Sequence, residues 1–259
     1  MSSHVQFTPG FDVAQLVFYT FVLFFIGLVI YLRREDRREG YPVEDDLTGR
    51  VLSPGLPLSQ ASPKTFRLAH GQGLVQKPDG LRDPEGLAAR AVGGFHGAPL
   101  VPTGDPLADG VGPAAWVERR RQPDLDWEGR PRIVPLSSDA ELLVSTRDPT
   151  MLGWPVLGLD GRVAGTVADL WVDRPDRLVR YLHVELEGSG RGVLAPMAMA
   201  QIDRRRRVVK VDALTAAQFA GAPRPGGDGV LTAYDEERIV AYFGGGYLYA
   251  TPARSEPLL

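Results

Sequence analysis

The sequence predicts a single transmembrane α-helix followed by a mainly-β domain, with a long irregular segment between them and a short C-terminal helix. Three observations predict this class. The run from Val13 to Leu32 is almost wholly apolar, residues 41–115 are rich in proline and glycine, and short β-like segments begin at Arg130. The predicted divisions of the 259-residue chain are residues 1–11, 12–38, 39–129 and 130–259.

The apolar run predicts a helix that crosses a bilayer once. At about 1.5 Å of rise per residue its length is roughly 30 Å, the thickness of one hydrocarbon core. No comparable run occurs later in the chain, so lipid is a better surrounding for it than a protein core. Residues 1–12 contain no Lys or Arg, unlike the start of a cleaved signal peptide.

Basic residues follow this helix directly and set its predicted orientation. Because Lys and Arg concentrate on the cytoplasmic side, residues 1–11 are expected in the periplasm and the C-terminal domain in the cytoplasm. Three carboxylates interleave with the arginines, so a solvated helical turn is the plain alternative to a binding surface. The residues predicted to contact anionic phospholipid or a partner subunit are Tyr31, Arg33, Arg34, Arg37 and Arg38.

The proline- and glycine-rich stretch shows no helical or alternating period. Such a chain buries little apolar surface by itself. Apolar residues such as Phe66, Phe95 and Val101 nevertheless recur in it, and its charge is modest. We therefore expect an ordered, extended segment that packs on partners.

The C-terminal part predicts a small antiparallel barrel or sandwich. Candidate strands are Arg162–Asp173, Leu178–Leu186, Gly192–Pro196 and Arg207–Ala213, the first two joined by a turn at residues 174–177. Alternation in the second strand places Leu182, Val184 and Leu186 on a buried face and Tyr181, His183 and Glu185 on a polar one.

A short helix is predicted after the strands. Residues 235–243 carry acids in the first turn and apolar residues at helical spacing. The glycines at 244–246 are expected to end it.

Composition excludes several functions. There is no cysteine, which removes disulfides, thiolate catalysis and cysteine-ligated metals. A net charge of −3 disfavours general nucleic-acid binding, the four histidines are scattered, and no catalytic motif occurs, so an enzyme is not predicted. One constellation leaves two interpretations open, a proton relay or a solvated hairpin with local ion pairs. Its members are Asp169, Asp173, Asp176, Arg177 and Arg180.

Five segments stand in order along the chain: YLRREDRREGYP at 31–42, PKTFRLAHGQG at 63–73, PTGDPLADGVGPAAW at 102–116, GRVAGTVADLWVD at 161–173 and GGGYLYATP at 244–252. Together they resemble one known family, the H subunit of the purple-bacterial photosynthetic reaction centre. Residues 161–173 also resemble the opening hairpin of a PRC-barrel, which makes the β domain PRC-barrel-like.

The resemblance implies a non-catalytic, single-pass subunit of the bacterial inner (chromatophore) membrane. Its cytoplasmic domain would cap the L and M subunits, with antenna-ring subunits and phospholipid as further partners. In this family L and M hold bacteriochlorophyll, bacteriopheophytin, quinones, non-haem iron and carotenoid, and H ligates none of them. The alternative is a membrane-tethered PRC-barrel adaptor for another cytoplasmic assembly.

The resemblance also implies proton transfer to the secondary quinone of the complex. Asp176 stands where the family commonly has Glu, and Asp173 and Arg180 match family positions. Asp126 and Glu128 are expected at the mouth of the path. Where some members carry surface histidines, this chain has residues 127–130, WEGR, so no metal site is predicted there.

Overall fold

The computed structural model describes residues 6–8, 11–51, 61–80, 86–226 and 230–255. The chain forms two compact units, one of Met1–Glu85 with Gly94–Gly97 and one of Gly86–Gly93 with Ala98–Leu259. The functional boundary expected at residue 130 stays a prediction.

The first unit is built on the long apolar helix α1, Val13–Glu35. Asp12 caps its start, as its side chain accepts a hydrogen bond from the backbone N–H of Ala14. With its 3-10 extension the helix runs from Val13 to Arg38, long and apolar enough to cross a membrane, and none of its apolar window is buried. The strands of this unit are β1 (Gln6–Thr8), β2 (Phe11–Asp12), β3 (Lys64–Arg67) and β4 (Leu74–Lys77), paired as two antiparallel hairpins.

The second unit contains most of the regular structure. Its strands are β5 (Ala89–Ala91), β6 (Leu100–Pro102), β7 (Ile133–Pro135), β8 (Pro155–Leu157), β9 (Val163–Asp173), β10 (Leu178–Leu186), β11 (Gly192–Pro196), β12 (Ala200–Asp203) and β13 (Val208–Val211). Its helices are α2 (Pro106–Asp109) and α3 (Ala233–Tyr249). The mainly-β class with a C-terminal helix is thereby confirmed.

The main sheet is open, so of the two predicted arrangements, a small antiparallel barrel or a sandwich, the barrel is not closed. Its strand order is β11-β10-β9-β8-β13-β12, with β7 also paired to β9, and the β8–β13 pair is parallel. The two outer strands, β11 and β12, do not pair with each other. Helix α3 contacts β11, the strand at one end of this order.

The long hairpin β9–β10 forms the centre of the sheet, and it contains two bulges. Residues 182, 184 and 186 are buried, as the alternation predicted. Tyr181 is also buried, which corrects its predicted place on a polar face, and its hydroxyl reaches Glu236 of α3. A bulge lies between Val179 and Tyr181, where β10 advances two residues against one on β9. Arg180 is therefore the extra residue of the ladder.

Helix α3 continues through the three glycines that were expected to end it. Gly245 and Gly246 are buried. A Cβ on Gly245 would lie 2.5 Å from the Cβ of Ala114, and one on Gly246 would overlap the carbonyl oxygen of Ala213. These glycines let neighbouring backbone approach the helix, and this packing outweighs their low helix propensity.

The core lies between the sheet and α3. Phe219 and Phe243 are fully buried and meet edge to face, with ring centroids 5.4 Å apart. Leu107 and Ala114, from the proline- and glycine-rich stretch, belong to the same core. That part of the stretch therefore packs on its own chain.

Candidate functional site

The turn between β9 and β10 holds a carboxylate pair bridged by one arginine. Asp173, the last residue of β9, is only 1% exposed. Its Oδ2 accepts a hydrogen bond from Nε of Arg132 at 2.8 Å, and its Oδ1 accepts one from the backbone N–H of Asp176 at 3.2 Å. A second nitrogen of Arg132 donates to Oδ2 of Asp176 at 2.6 Å. Arg132 therefore joins two carboxylates that sequence reasoning had grouped, and Arg132 itself was missed.

The two carboxylates of this pair differ in their access to water. The Asp176 side chain is 50% exposed, whereas Asp173 is buried. The hydrogen bond with Asp173 raises the pKa of Arg132, with smaller contributions from the charges of both carboxylates, so the bridge remains a cation. The arrangement links a carboxylate in water to one inside the protein.

The remaining members of the predicted constellation separate. Asp169 accepts a hydrogen bond from the hydroxyl of Ser137 at 2.5 Å. Arg177 lies in the turn with a positive φ of 52°. Arg180, on the bulge of β10, is exposed, and its charge acts on the half-buried Glu236 of α3.

Glu236 is the functional candidate that sequence reasoning missed. It lies in the first turn of α3, where its Oε2 accepts a hydrogen bond from the hydroxyl of Tyr181 at 2.8 Å. Burial raises the pKa of Glu236, and the charges of Asp124 and Asp173 raise it further, while Tyr181 and Arg180 oppose the change. Burial likewise raises the pKa of Tyr181, so its phenol stays neutral and donates.

The sequence did contain a signal at this position. Acids in the first turn favour the start of a helix, and one of them, Asp235, forms a capping box with Thr232. Nothing in the sequence showed that the first turn of α3 would pack against β10. Glu236 became a candidate only through that contact.

The predicted mouth residues lie in a tight turn that leads to Arg132. Asp126, 4% exposed, accepts hydrogen bonds from the backbone N–H groups of Glu128 (3.0 Å) and Arg130 (2.9 Å). Its other oxygen accepts from Nε of Arg130 at 3.0 Å. Burial alone would raise the pKa of Asp126, but these hydrogen bonds together lower it. Asp126 therefore holds the turn together through its own hydrogen bonds. Glu128 forms an ion pair with Arg130 at 2.5 Å. The proton-collecting role of both acids stays a prediction.

The predicted contact residues at the end of α1 fall into two groups. Arg38 donates to the carbonyls of Ser62 (2.6 Å) and Lys77 (3.0 Å) and to the carboxylate of Glu35, which ties the β3–β4 hairpin to the helix end. Arg34 donates to the Ser62 hydroxyl at 3.0 Å.

The other members of this group lie more openly. Arg37 stacks over Tyr41 at 5.2 Å, and Lys64 lies over the exposed ring of Tyr31 at 5.5 Å. Arg33 is exposed. Lipid or partner contact by these residues stays a prediction.

Among the residues that the structure describes, one group has donor atoms close enough to hold a metal ion, namely Asp45, Asp46 and His96. All of their donor atoms lie within 4.8 Å of one another. His96 Nδ1 lies 2.5 Å from Asp46 Oδ1, and this contact raises the pKa of His96. Asp45 accepts hydrogen bonds from Thr48. Contacts within the group therefore account for its geometry.

Two consecutive parts of the chain match known protein families. Residues 146–218 match the PRC-barrel domain, so the fold is that of a PRC-barrel protein, and the described residues contain one helix of membrane-spanning length. Residues 5–138 match the photosynthetic reaction centre H-chain N-terminal region. The chain belongs to the photosynthetic reaction centre H-chain family, which confirms the resemblance.

Family membership indicates the partners of this chain and the kind of complex to which it belongs. It implies the L and M subunits as partners. Members of this family are structural subunits of an electron-transfer complex, and the H chain itself carries no pigment. The apolar helix fits a single-pass inner-membrane protein.

Proposed function

We propose that this chain caps and stabilises the L and M subunits on the cytoplasmic side and forms part of a proton route to the secondary quinone. One observation carries the proton role. Arg132 connects exposed Asp176 to buried Asp173, and the charge of Asp173 acts on Glu236. This series of acids leads from water into the protein.

The members of the series have different tasks. Asp176 and Asp173 both bind Arg132, and in the proposed route they lead from the exposed entrance to the buried end of β9. Glu236 is better suited to exchange a proton, because its raised pKa brings the acid closer to the pH of the cytoplasm. Tyr181 donates to Glu236, and water would connect the stations.

The capping role rests on family membership and on the distribution of charge around α1. Four arginines lie at the C-terminal end of α1 and in its 3-10 extension, so we infer a periplasmic N-terminus and a cytoplasmic β domain. L and M would hold the bacteriochlorophyll, bacteriopheophytin, quinones, non-haem iron and carotenoid of the complex. Tyr31 and Arg33 would meet phospholipid head groups at this boundary, and antenna subunits would surround the assembly.

Flash-induced proton uptake by purified complexes tests the proton role. Asp176→Asn and Glu236→Gln are expected to slow uptake linked to the second electron transfer several-fold, with the complex intact. Glu187→Gln removes an exposed acid of the turn after β10 and serves as the matched control, expected to behave as wild type. Wild-type uptake in both test variants across pH would contradict the proton role and leave the capping role standing.

Purification after gentle solubilisation tests the capping role. The chain should co-purify with near-infrared bacteriochlorophyll absorbance. Purification without pigment would favour the adaptor for another assembly.

A further inference from the structure

An aromatic and guanidinium patch lies on the second unit, where residues 116–122 run beside the first turns of α3. The rings of Trp116 and Tyr234 meet edge to face with centroids 5.5 Å apart. The guanidinium of Arg238 lies 5.3 Å from the first ring and 5.5 Å from the second. We call Trp116, Val117, Tyr234 and Arg238 the Arg238 patch.

Arg238 is the unmatched cation of this patch. It makes no ion pair and no side-chain hydrogen bond with any residue that the structure describes, and its Nε is buried without a partner. The neighbouring cations are matched: Arg119 with Glu237 (3.2 Å), Arg120 with Asp124 (3.0 Å) and Arg121 with Glu118 (3.0 Å).

The nearby acids on α3 are also engaged. Asp235 binds Thr232 at the helix start, and Glu236 binds Tyr181. The patch therefore keeps one positive charge that its own surroundings do not neutralise.

This arrangement is costly for a free surface and favourable for an interface. Partial burial removes water from the guanidinium, and the two rings replace only part of that stabilisation. Trp116 is 39% exposed and Val117 55% exposed beside it, so apolar surface adjoins the charge. Arginine framed by Trp and Tyr is the composition found at the energetic centres of protein interfaces.

We propose that the Arg238 patch docks a carboxylate side chain from an acidic segment of the L–M pair. The planar guanidinium can bind a carboxylate through two parallel hydrogen bonds, while Trp116 and Val117 pack against the apolar part of the partner. This inference rests on the proposed capping function and names one contact through which capping occurs. Charge complementarity selects an acidic partner.

The test measures the affinity of the full-length chain in detergent for the L–M pair stripped of its native copy. Arg238→Gln is expected to weaken binding at least 10-fold, and Arg238→Lys to weaken it less, because lysine keeps the charge without the planar fork. Val117→Asp places a negative charge at an exposed position and should weaken binding through repulsion. Arg205→Gln, in the exposed turn between β12 and β13, is the control and should bind as wild type.

The outcomes separate the two proposals. Wild-type affinity in both Arg238→Gln and Val117→Asp overturns the docking site and leaves capping intact. Weaker binding of Arg238→Gln to anionic phospholipid vesicles, with unchanged binding to L–M, also overturns it. Failure of the wild-type chain to bind L–M overturns the capping function and the docking site together. Unchanged circular dichroism and thermal unfolding of Arg238→Gln confirm that the variant is folded.

Discussion

The hydroxyl of Tyr181 on β10 donates a 2.8 Å hydrogen bond to Oε2 of Glu236 on α3. This bond connects the central hairpin of the sheet to the C-terminal helix. It also places a carboxyl group with a raised pKa beside a phenol that remains neutral. The carboxyl is thereby held in a half-buried position with a hydrogen-bond partner.

Glu236→Gln is expected to change how stability depends on pH. The folded-state pKa of Glu236 lies above its unfolded value, mainly because burial disfavours the anion. Its contribution to stability is fully present below the ordinary carboxyl pKa and is lost as pH rises through the folded pKa. The free energy of unfolding of the Gln variant relative to wild type should therefore increase as pH rises through that interval.

Urea unfolding followed by tryptophan fluorescence measures this difference. All four tryptophans lie beyond residue 115, so the signal reports on the second unit. A relative stability that stays constant with pH would contradict the raised pKa.

Tyr181→Phe should destabilise the second unit by about 1.5–3 kcal/mol, the range for hydrogen bonds to charged groups. Tyr242→Phe is the matched control, because the Tyr242 hydroxyl donates to a neutral carbonyl, that of Gln218, at 2.9 Å. That loss should cost about 0.5–1.5 kcal/mol. Equal costs in urea unfolding would show that Glu236 is not charged in its pair with Tyr181.

Asp173→Asn and Asp176→Asn should differ in cost although both acids bind Arg132. Asp173 is buried, and the Asn substitution removes its charge and so breaks its ion pair with Arg132, which should lower the free energy of unfolding by about 2–4 kcal/mol. Asp176 is half exposed, and its variant should lose at most about 1 kcal/mol. The same unfolding assay compares them, and an equal, small cost would argue against a buried carboxylate at the end of β9.

Gly245→Ala should destabilise the second unit by about 1–3 kcal/mol, because the new Cβ would overlap Ala114. Gly244→Ala is the matched control in the same helix. Its Cβ would meet only the carbonyl of Pro113 at 3.7 Å, so better helix propensity should stabilise it by up to about 1 kcal/mol. Stabilisation by both substitutions would refute the close packing of α3.

Single-cysteine labelling tests the orientation of the helix. The chain contains no cysteine, so Ser3→Cys and Ser189→Cys each introduce one thiol. In intact spheroplasts a membrane-impermeant maleimide should label Ser3→Cys and leave Ser189→Cys unlabelled until lysis. The reverse pattern would place the β domain in the periplasm.

Much of the fold could be predicted from local patterns. Strand β10 and strand β11 begin and end at the predicted residues, because alternation and the flanking turns are properties of the sequence itself. The length of α3 and the openness of the sheet depend on contacts between distant segments. Gly245 packs against Ala114, which lies far away in the sequence, so no local sequence pattern could predict this contact.

The residues of the candidate site likewise differ in whether local sequence could predict them. Asp173 and Asp176 could be selected because one ends a predicted strand and the other lies in the turn that follows it, and the structure does join them. Arg132 and Glu236 lie on other elements and reach the site only through strand pairing and helix packing. The sequence contains these side chains but not their distance from the turn.

The bulge on β10 has a consequence for how this site can evolve. Residue 180 is the unpaired residue of the bulge and is exposed, so its side chain is not needed for strand pairing or for the core. Substitutions there should change the charge beside Glu236 with little effect on folding. Evolution could therefore adjust the proton affinity of Glu236 at this position.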